Sequence, residues 1–293
     1  MVELLTTGPM QLRMGFAGDC FNTAHYARQA LGSDWEVEFF SVVGNDAISR
    51  QMLGFMAEKQ VGTRHVLQSA DRTVGLYMVH IDHGERSFSY WRSASAARLL
   101  ADDPDRLFQA ISEAEIVFYS GITLAILSAA GRRTLLASLA ASRDAGKLVA
   151  FDPNIRPRLW EDPATMRAVI TEGARSASIV LPSFDDEATY FGDPDVQSTI
   201  ARYRELCGDR VVVKDGERGA TLSFNGLSDH IPAVRVESVV DTTGAGDSFN
   251  GSFLAHLARH GDPRRAAAFA SKVAAQVIRQ QGAIIDHSIR DEP

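Results

Sequence analysis

The amino-acid sequence predicts an α/β fold, a mostly parallel sheet covered by helices and carrying a small β lid. Strand-like apolar runs alternate with amphipathic helical stretches along most of the chain. An aromatic-rich hairpin pattern over 73–92, TVGLYMVHIDHGERSFSYWR, interrupts that alternation. Residues 241–253, DTTGAGDSFNGSF, set glycines, small residues and an aspartate at the mouth of an apolar helix.

Near the start, QLRMGFAGDCFNTAHYARQAL passes from a short extended segment through Gly15 and Gly18 into a helix. Asp19 or Asn22 is placed to cap it, with Ala24, Ala27 and Leu31 near its inner stripe. EVEFFSVVGND then reads as a strand ending at Gly44, and AISRQMLGFMAEKQV as a helix ending near Gly62. The hairpin turns at Asp82, His83, Gly84 and Glu85. From Ile116 onward, the strands IVFYSGI and KLVAFDPN flank the helix AAGRRTLLASLAASRDAG. MRAVITEGARSASIVLPSFDDEA continues with a helix, a short strand and the start of another helix. YRELCGDRVVVKDGERGATLSF ends in two strands joined by a glycine-bearing turn. Two helices close the pattern, 247–260 and 263–280. In the second, Asp262 caps, Pro263 suits the first turn, Phe269, Val273 and Val277 recur every four residues, and Gly282 ends it.

With 293 residues the chain is long enough for one large domain with a small accessory part. Its 30 Lys and Arg against 37 Asp and Glu give a net charge of −7, which disfavours a broad grip on nucleic acid but permits local cationic pockets for small anions. The Arg132-Arg133 and Arg264-Arg265 pairs read as solvated helix faces. Only Cys20 and Cys207 occur, and no stretch reads as a signal peptide or a bilayer-crossing segment, so the expected setting is a reducing cytoplasm without a membrane partner.

A helix start exposes unpaired N–H groups and partial positive charge, so Gly244, Ala245 and Gly246 are suited to receive an anion. Asp247 stands beside the same anion, where a carboxylate repels phosphate unless it takes a proton from an attacking hydroxyl; that task is general base. Helix capping is the simpler account of Asp247 taken alone. No Gly-x-x-x-x-Gly-Lys-Ser/Thr loop is present, nor a Gly-x-Gly-x-x-Gly fingerprint opening a helix after a strand.

DTTGAGDSFNGSFLAHLA resembles the carboxyl-terminal signature of the ribokinase-like carbohydrate kinase family, and GFAGDCFNTAHYARQALG resembles its amino-terminal sugar-binding region. The similarity covers nearly the full chain. It implies a ribokinase-like three-layer fold over 1–293, with a lid from approximately 9–17 and 72–93. Within the family, YWRSASAA and FDPNIRPRLW look like the 2-keto-3-deoxygluconate kinase branch.

The resemblance implies that Asp247 deprotonates the sugar hydroxyl and that the 244–246 backbone holds the γ-phosphoryl charge of ATP. It places Lys214, Gly216 and Gly219 beside the nucleotide. Ser183 stands where the family often has Asn, and Glu187 matches a glutamate associated with Mg²⁺ through water. Asp241, Thr243 and the Gly282 loop match a monovalent-cation site, K⁺ in some relatives. Gly18 and Asn22 are expected at the sugar, with Ala17 in place of a common glycine. Arg92 and Arg156 suit a substrate carboxylate in bidentate geometry, and Tyr77 and Tyr90 line the pocket from the lid or simply bury the hairpin's face.

These roles imply ATP-dependent phosphorylation of 2-keto-3-deoxygluconate at O6. The alternatives are a fructokinase or other sugar kinase, and a catalytically silent sugar-binding regulator. His80, Asp82, His83 and Glu85 lack a recognised zinc spacing and read as a polar hairpin tip. Lid strands in this family often mediate dimer contacts, which implies a homodimer. Relatives usually carry a strand ahead of the segment matching MVEL, so an exposed sheet edge is expected.

Overall fold

The structure, a computed structural model, describes residues 1–8, 10–82 and 85–285. Strands β1 (Val2–Gly8) and β2 (Gln11–Phe16) pair antiparallel, and helix α1 (Asp19–Ala30) follows at once. Strand β3 (Ser41–Gly44), helix α2 (Ala47–Glu58) and strand β4 (Val66–Ser69) make a small α/β unit in which β3 and β4 lie parallel. Strands β5 (Leu76–Asp82) and β6 (Glu85–Trp91) form the aromatic hairpin, with His83 and Gly84 of its expected turn outside the described residues. Because β1 also runs parallel to β5, the lid is a four-stranded sheet in the order β2-β1-β5-β6. The sequence reading left β1 out of the lid: VELLTTG lacks the apolar-polar alternation that marks a half-buried strand.

The central layer follows. After α3 (Pro104–Glu113) come β7 (Ile116–Ser120), α4 (Gly121–Ile126), α5 (Ala129–Asp144) and β8 (Leu148–Asp152). Helix α6 (Pro163–Ser176), strand β9 (Ile179–Val180), and helices α7 (Phe184–Phe191) and α8 (Val196–Cys207) lead to β10 (Arg210–Lys214), β11 (Ala220–Phe224) and β12 (Leu227–Ile231). The chain then enters α9 (Ala245–His260) and α10 (Pro263–Val277). The six-stranded sheet has the order β12-β11-β10-β9-β8-β7, parallel from β7 to β10 and antiparallel beyond.

Both faces of this sheet are covered, which explains the unbroken apolar runs of its strands. Val149, Ala150 and Phe151 of β8 are fully buried. Leu139, Ile170 and Tyr203 pack on one side, and Phe253, Ala266 and Ala270 on the other. Among the described residues, β7 pairs with β8 alone and β3 with β4 alone. The edges of β3 and β7 border a cavity of about 800 Å³ lined by Phe39, Phe40, Phe118, Leu139 and Leu254.

One expected surface group lies inside. Arg132 is buried, with its guanidinium donating to the Leu124 and Ala125 carbonyls, pairing with Glu161 and stacking on Trp160. A helix-face pattern in the sequence cannot register those carbonyl acceptors, because α4 ends beside α5 only in the folded chain. Arg264, by contrast, is exposed and pairs with Asp229.

Helix α9 packs closely on α1 because Gly251 has no side chain. A Cβ there would stand 2.2 Å from the Thr23 carbonyl oxygen and 2.8 Å from the Ala27 nitrogen. Gly251→Ala is expected to lower stability by about 1–3 kcal/mol through this overpacking. Gly54→Ala, in α2 with nothing within 4 Å of its would-be Cβ, is expected to be neutral or to stabilise by about 0.5–1 kcal/mol. Denaturant unfolding of both variants checks the contrast; equal midpoints would refute the packing argument.

Candidate active site

The carboxyl ends of the parallel strands collect the polar groups, as expected for an open α/β sheet. Ser120 ends β7, Asp152 ends β8, and Lys214 ends β10, where its backbone bridges to Ser183. The first turn of α9 brings Asp247 to the same edge. Across the α1–α9 contact, Asn22 Nδ2 donates to Asp247 Oδ2 at 2.7 Å, while Asn22 Oδ1 accepts the Gly18 N–H at 3.2 Å. Neither Asn22 nor Asp19 caps α1, whose N-cap residue is Gly18. Asp19 instead accepts from the Ser120 hydroxyl and from Asn154 Nδ2 at 3.1 Å.

Behind Asp247 lies a buried polar knot. Lys214 Nζ donates to Asp152 Oδ2 at 2.9 Å and to Asn250 Oδ1 at 3.0 Å, and Asn250 Nδ2 donates to Asp152 Oδ2 at 2.6 Å. Sequence reasoning found Lys214 but missed Asp152 and Asn250. The available signal was a carboxylate closing an otherwise apolar strand and an amide one residue short of a full turn after Asp247.

Burial pushes the Asp247 carboxyl up to about 7; the charges of Asp19 and Asp152 add to the rise, and the Asn22 bond and Lys214 oppose it. A carboxyl poised there is suited to take a hydroxyl proton near neutral pH. Cys20, half-buried and bonded to Ser120 and Thr123, has its thiol pushed well above the usual range, chiefly by burial.

At the start of α9, Gly244 adopts φ 79°, and a Cβ there would meet the Ala283 carbonyl at 2.8 Å, so glycine is required for the turn into the helix. The Ala245 N–H donates to the Thr242 carbonyl at 3.2 Å. That engages one of the three amides expected to face an anion and leaves the helix-start amides of Gly246 and Asp247 for the role. Lys214 Nζ lies 3.7 Å from the position of a Gly246 Cβ, so its ammonium borders the same cradle.

Gly219 is explained locally, since its Cβ would stand 2.1 Å from the Ile231 carbonyl, whereas Gly216 at φ 54° has open space around it. Glu187 is fully buried, accepting from Arg202 at 2.8 Å and Tyr203 at 3.0 Å, and burial raises its carboxyl to about 7. These partners on α8 account for its burial and its orientation. Asp241 accepts from the Thr243 N–H at 2.9 Å and the Gly282 N–H at 2.8 Å, joining the two loops that the sequence reading placed on either side of a cation.

On the lid, Tyr77 and Tyr90 are register partners on β5 and β6 with ring centroids 6.2 Å apart, and the Tyr77 hydroxyl donates to Glu3 on β1. The Arg92 guanidinium stacks 4.2 Å from the Tyr90 centroid and lines the cavity with Gly18 and Asp19. Burial lowers its proton affinity; Tyr90 and Asp19 act against that, and the neighbouring charge of Arg156 adds to it. Arg156 pairs with Asp186 at 3.5 Å. The charges of the two arginines therefore act on each other. His80 bonds to Ser89 on the facing strand, and His83 lies outside the described residues.

The family model for pfkB family carbohydrate kinases matches residues 5–290. The chain belongs to this family. It is 36% identical to a 2-dehydro-3-deoxygluconokinase of Escherichia coli, over 97% of this chain and 94% of that protein. It is 33% identical to the enzyme of the same name from Haemophilus influenzae, over 98% and 93%. A fructokinase of Klebsiella pneumoniae is 33% identical over 94% of this chain and 87% of its own length. Among solved structures, a PfkB protein from Polaromonas sp. JS666 superposes with a TM-score of 0.85 at 25% identity, covering 96% of this chain and 93% of its own. The pfkB kinase fold thus sets Asp247, Lys214 and the α9 amides around one point.

If Asp247 is the base, kcat/KM rises with pH through about 7, because the carboxyl must be ionised to accept the proton. Asn22→Leu removes a bond that favours the ionised form and is expected to move this limb to higher pH. Asp247→Asn is expected to lose about 10²- to 10⁴-fold in kcat with binding retained. A pH–rate profile unaffected by Asn22→Leu would remove Asp247 from the assignment.

Proposed function

We propose that this sugar kinase transfers the γ-phosphoryl group of ATP to O6 of 2-dehydro-3-deoxygluconate (2-keto-3-deoxygluconate), giving the 6-phosphate. The observation that carries the reading is a pair of guanidinium groups, Arg92 stacked on Tyr90 of the lid and Arg156 held by Asp186 just beyond β8, whose charges act on each other. A neutral hexose offers no anion to two guanidinium groups, whereas the carboxylate at C1 of a keto acid does. The curated relatives that share the chain's full length and act on this acid by name support the choice.

In the proposed reaction, Tyr77 and Tyr90 cover the sugar from the lid while the arginines hold the carboxylate. Asp247, steadied by Asn22, removes the proton from O6 as that oxygen approaches the γ-phosphorus. The amides of Gly246 and Asp247, with Gly244 shaping the turn and Lys214 at its side, stabilise charge on the transferring group. Mg²⁺ supplies shielding of the phosphate charge. Among the described residues no three His, Cys, Asp or Glu side chains are grouped to cage a metal, so the ion fits as one carried largely on the phosphates. Backbone carbonyls near the loops joined by Asp241 would hold K⁺ in this reading.

Among the described residues no helix is long and apolar enough to cross a membrane, and a cytoplasmic setting belongs to the same proposal. So does a homodimer through the lid, where Leu12, Met14 and Trp91 share one exposed face. A fructokinase is the second reading, favoured by the Klebsiella relative.

The test is ATP-dependent turnover, with direct product detection, of 2-dehydro-3-deoxygluconate, 2-dehydro-3-deoxygalactonate, gluconate, fructose and ribose. The first acid is expected to lead. Arg92→Met and Arg156→Met should each raise its KM about ten- to a hundredfold, the range for a charged hydrogen bond, without affecting fructose. Efficient fructose turnover with no acid preference would keep the kinase and reject the carboxylate pocket. No turnover by the folded chain would favour a silent sugar-binding regulator.

A further inference from the structure

Lys214 closes β10 with one of its donors unspent. Its side chain is only 10% exposed. An ammonium carries three N–H groups, and among the described hydrogen bonds two of them go to Asp152 Oδ2 at 2.9 Å and Asn250 Oδ1 at 3.0 Å. A buried ion pair kept for stability alone is expected to satisfy every donor, because an unmet buried N–H is costly and the pair itself is a weak stabiliser. The third N–H therefore points to a ligand received beside Nζ.

The surroundings of Nζ say where that ligand sits. Nζ stands 3.7 Å from the place a Gly246 Cβ would take, in the first turn of α9. That is an ordinary contact distance, and Gly246 is helical without a left-handed φ. Neither the backbone nor a clash therefore demands glycine at 246. What the missing side chain does is leave the ammonium uncovered toward the helix-start amides.

Two side chains fix the ammonium. Asp152 gives Oδ1 to the Asn154 N–H at 3.0 Å, which orients the carboxylate and leaves Oδ2 for Lys214 and Asn250. Asn250 is fully buried on α9, accepting from Lys214 through Oδ1 while donating to Asp152 through Nδ2 at 2.6 Å. It ties a lysine of the sheet to the helix that carries both the amides and Asp247. We propose that Asp152 and Asn250 are positioning residues for phosphoryl transfer: acting together through Lys214, they hold its remaining N–H at the anion received by the first turn of α9. This rests on the phosphate-binding reading of that turn and is independent of which sugar is phosphorylated.

The test separates the phosphate chain from the rest of the nucleotide. Dissociation constants of AMP-PNP, which carries a triphosphate chain, and of adenosine, which carries none, are measured by calorimetry for the wild type and Asn250→Ala, alongside kcat. Because the binding measurements need no sugar, failure of the sugar-acid reading does not affect them. Asn250→Ala is expected to weaken AMP-PNP about tenfold and to lower kcat by a similar factor, the scale of one charged hydrogen bond, while adenosine binds as it does to the wild type. The same substitution is then made in Asp152→Asn/Lys214→Met, where removing both charges leaves neither buried and unpaired. That background is expected to lose AMP-PNP affinity by itself, and Asn250→Ala to add no further loss, because residues acting through one group are non-additive.

Equal weakening of AMP-PNP and adenosine by Asn250→Ala, or weakening of neither, would overturn the inference by leaving the knot a packing role alone. A loss from Asn250→Ala in the uncharged background as large as in the wild type would also overturn it, because Asn250 would then act without Lys214. Unchanged AMP-PNP affinity and kcat in the uncharged background would overturn it together with the place of Lys214 beside the phosphates.

Discussion

The hydrogen bond between Asn22 and Asp247 depends on how closely two helices approach, and the rest of the site depends on that approach. Gly251 lets α9 press on the backbone of α1, which places an amide from the amino-terminal sugar segment against a carboxylate 225 residues later in the chain. From this contact the α9 amides, the lid and the strand ends take their positions. A wider helix separation would leave the carboxylate buried without a donor, a costly state for a group meant to ionise.

The second constraint is charge balance in a confined space. Asp19, Asp152 and Asp247 surround the reacting centre, against Lys214 on one side and Arg92 and Arg156 on the other. Asp152 and Asn250 hold Lys214 at the phosphate end. Asp186 pairs with Arg156, and the Tyr90 ring supports Arg92. Each cation is thus oriented by a partner of its own, which lowers the reorganisation needed when anionic ligands arrive. The same arrangement raises the Asp247 carboxyl, which makes its ionised form a stronger base than an ordinary carboxylate.

The kinase signature was legible because its chemistry is local: a left-handed glycine, a helix start and an acid in the first turn are consecutive in the chain. Arg92 and Arg156 were legible as candidates because their residue type matches a carboxylate, although the two lie on different elements. Asp152, Asn250 and Asp19 were not assigned, since each acts through partners distant in sequence and looks alone like a strand end, a helix residue or a cap. Arg132 was misjudged for a related reason: it has the composition of a surface group, and only burial against α4 shows that its partners are internal.

By itself the sequence determined the alternation of strands and helices, the family and the candidates for a phosphate-binding helix start, a base and a cationic sugar pocket, because periodicity, turn chemistry and residue type act over a few neighbouring positions. Only the tertiary structure decided that β1 joins the lid, that Asn22 meets Asp247 rather than capping α1, that Glu187 faces Arg202, and that Asp19 is fixed between Ser120 and Asn154. Those outcomes rest on contacts between segments far apart in the chain, where distance and burial select among partners that residue type alone leaves equivalent.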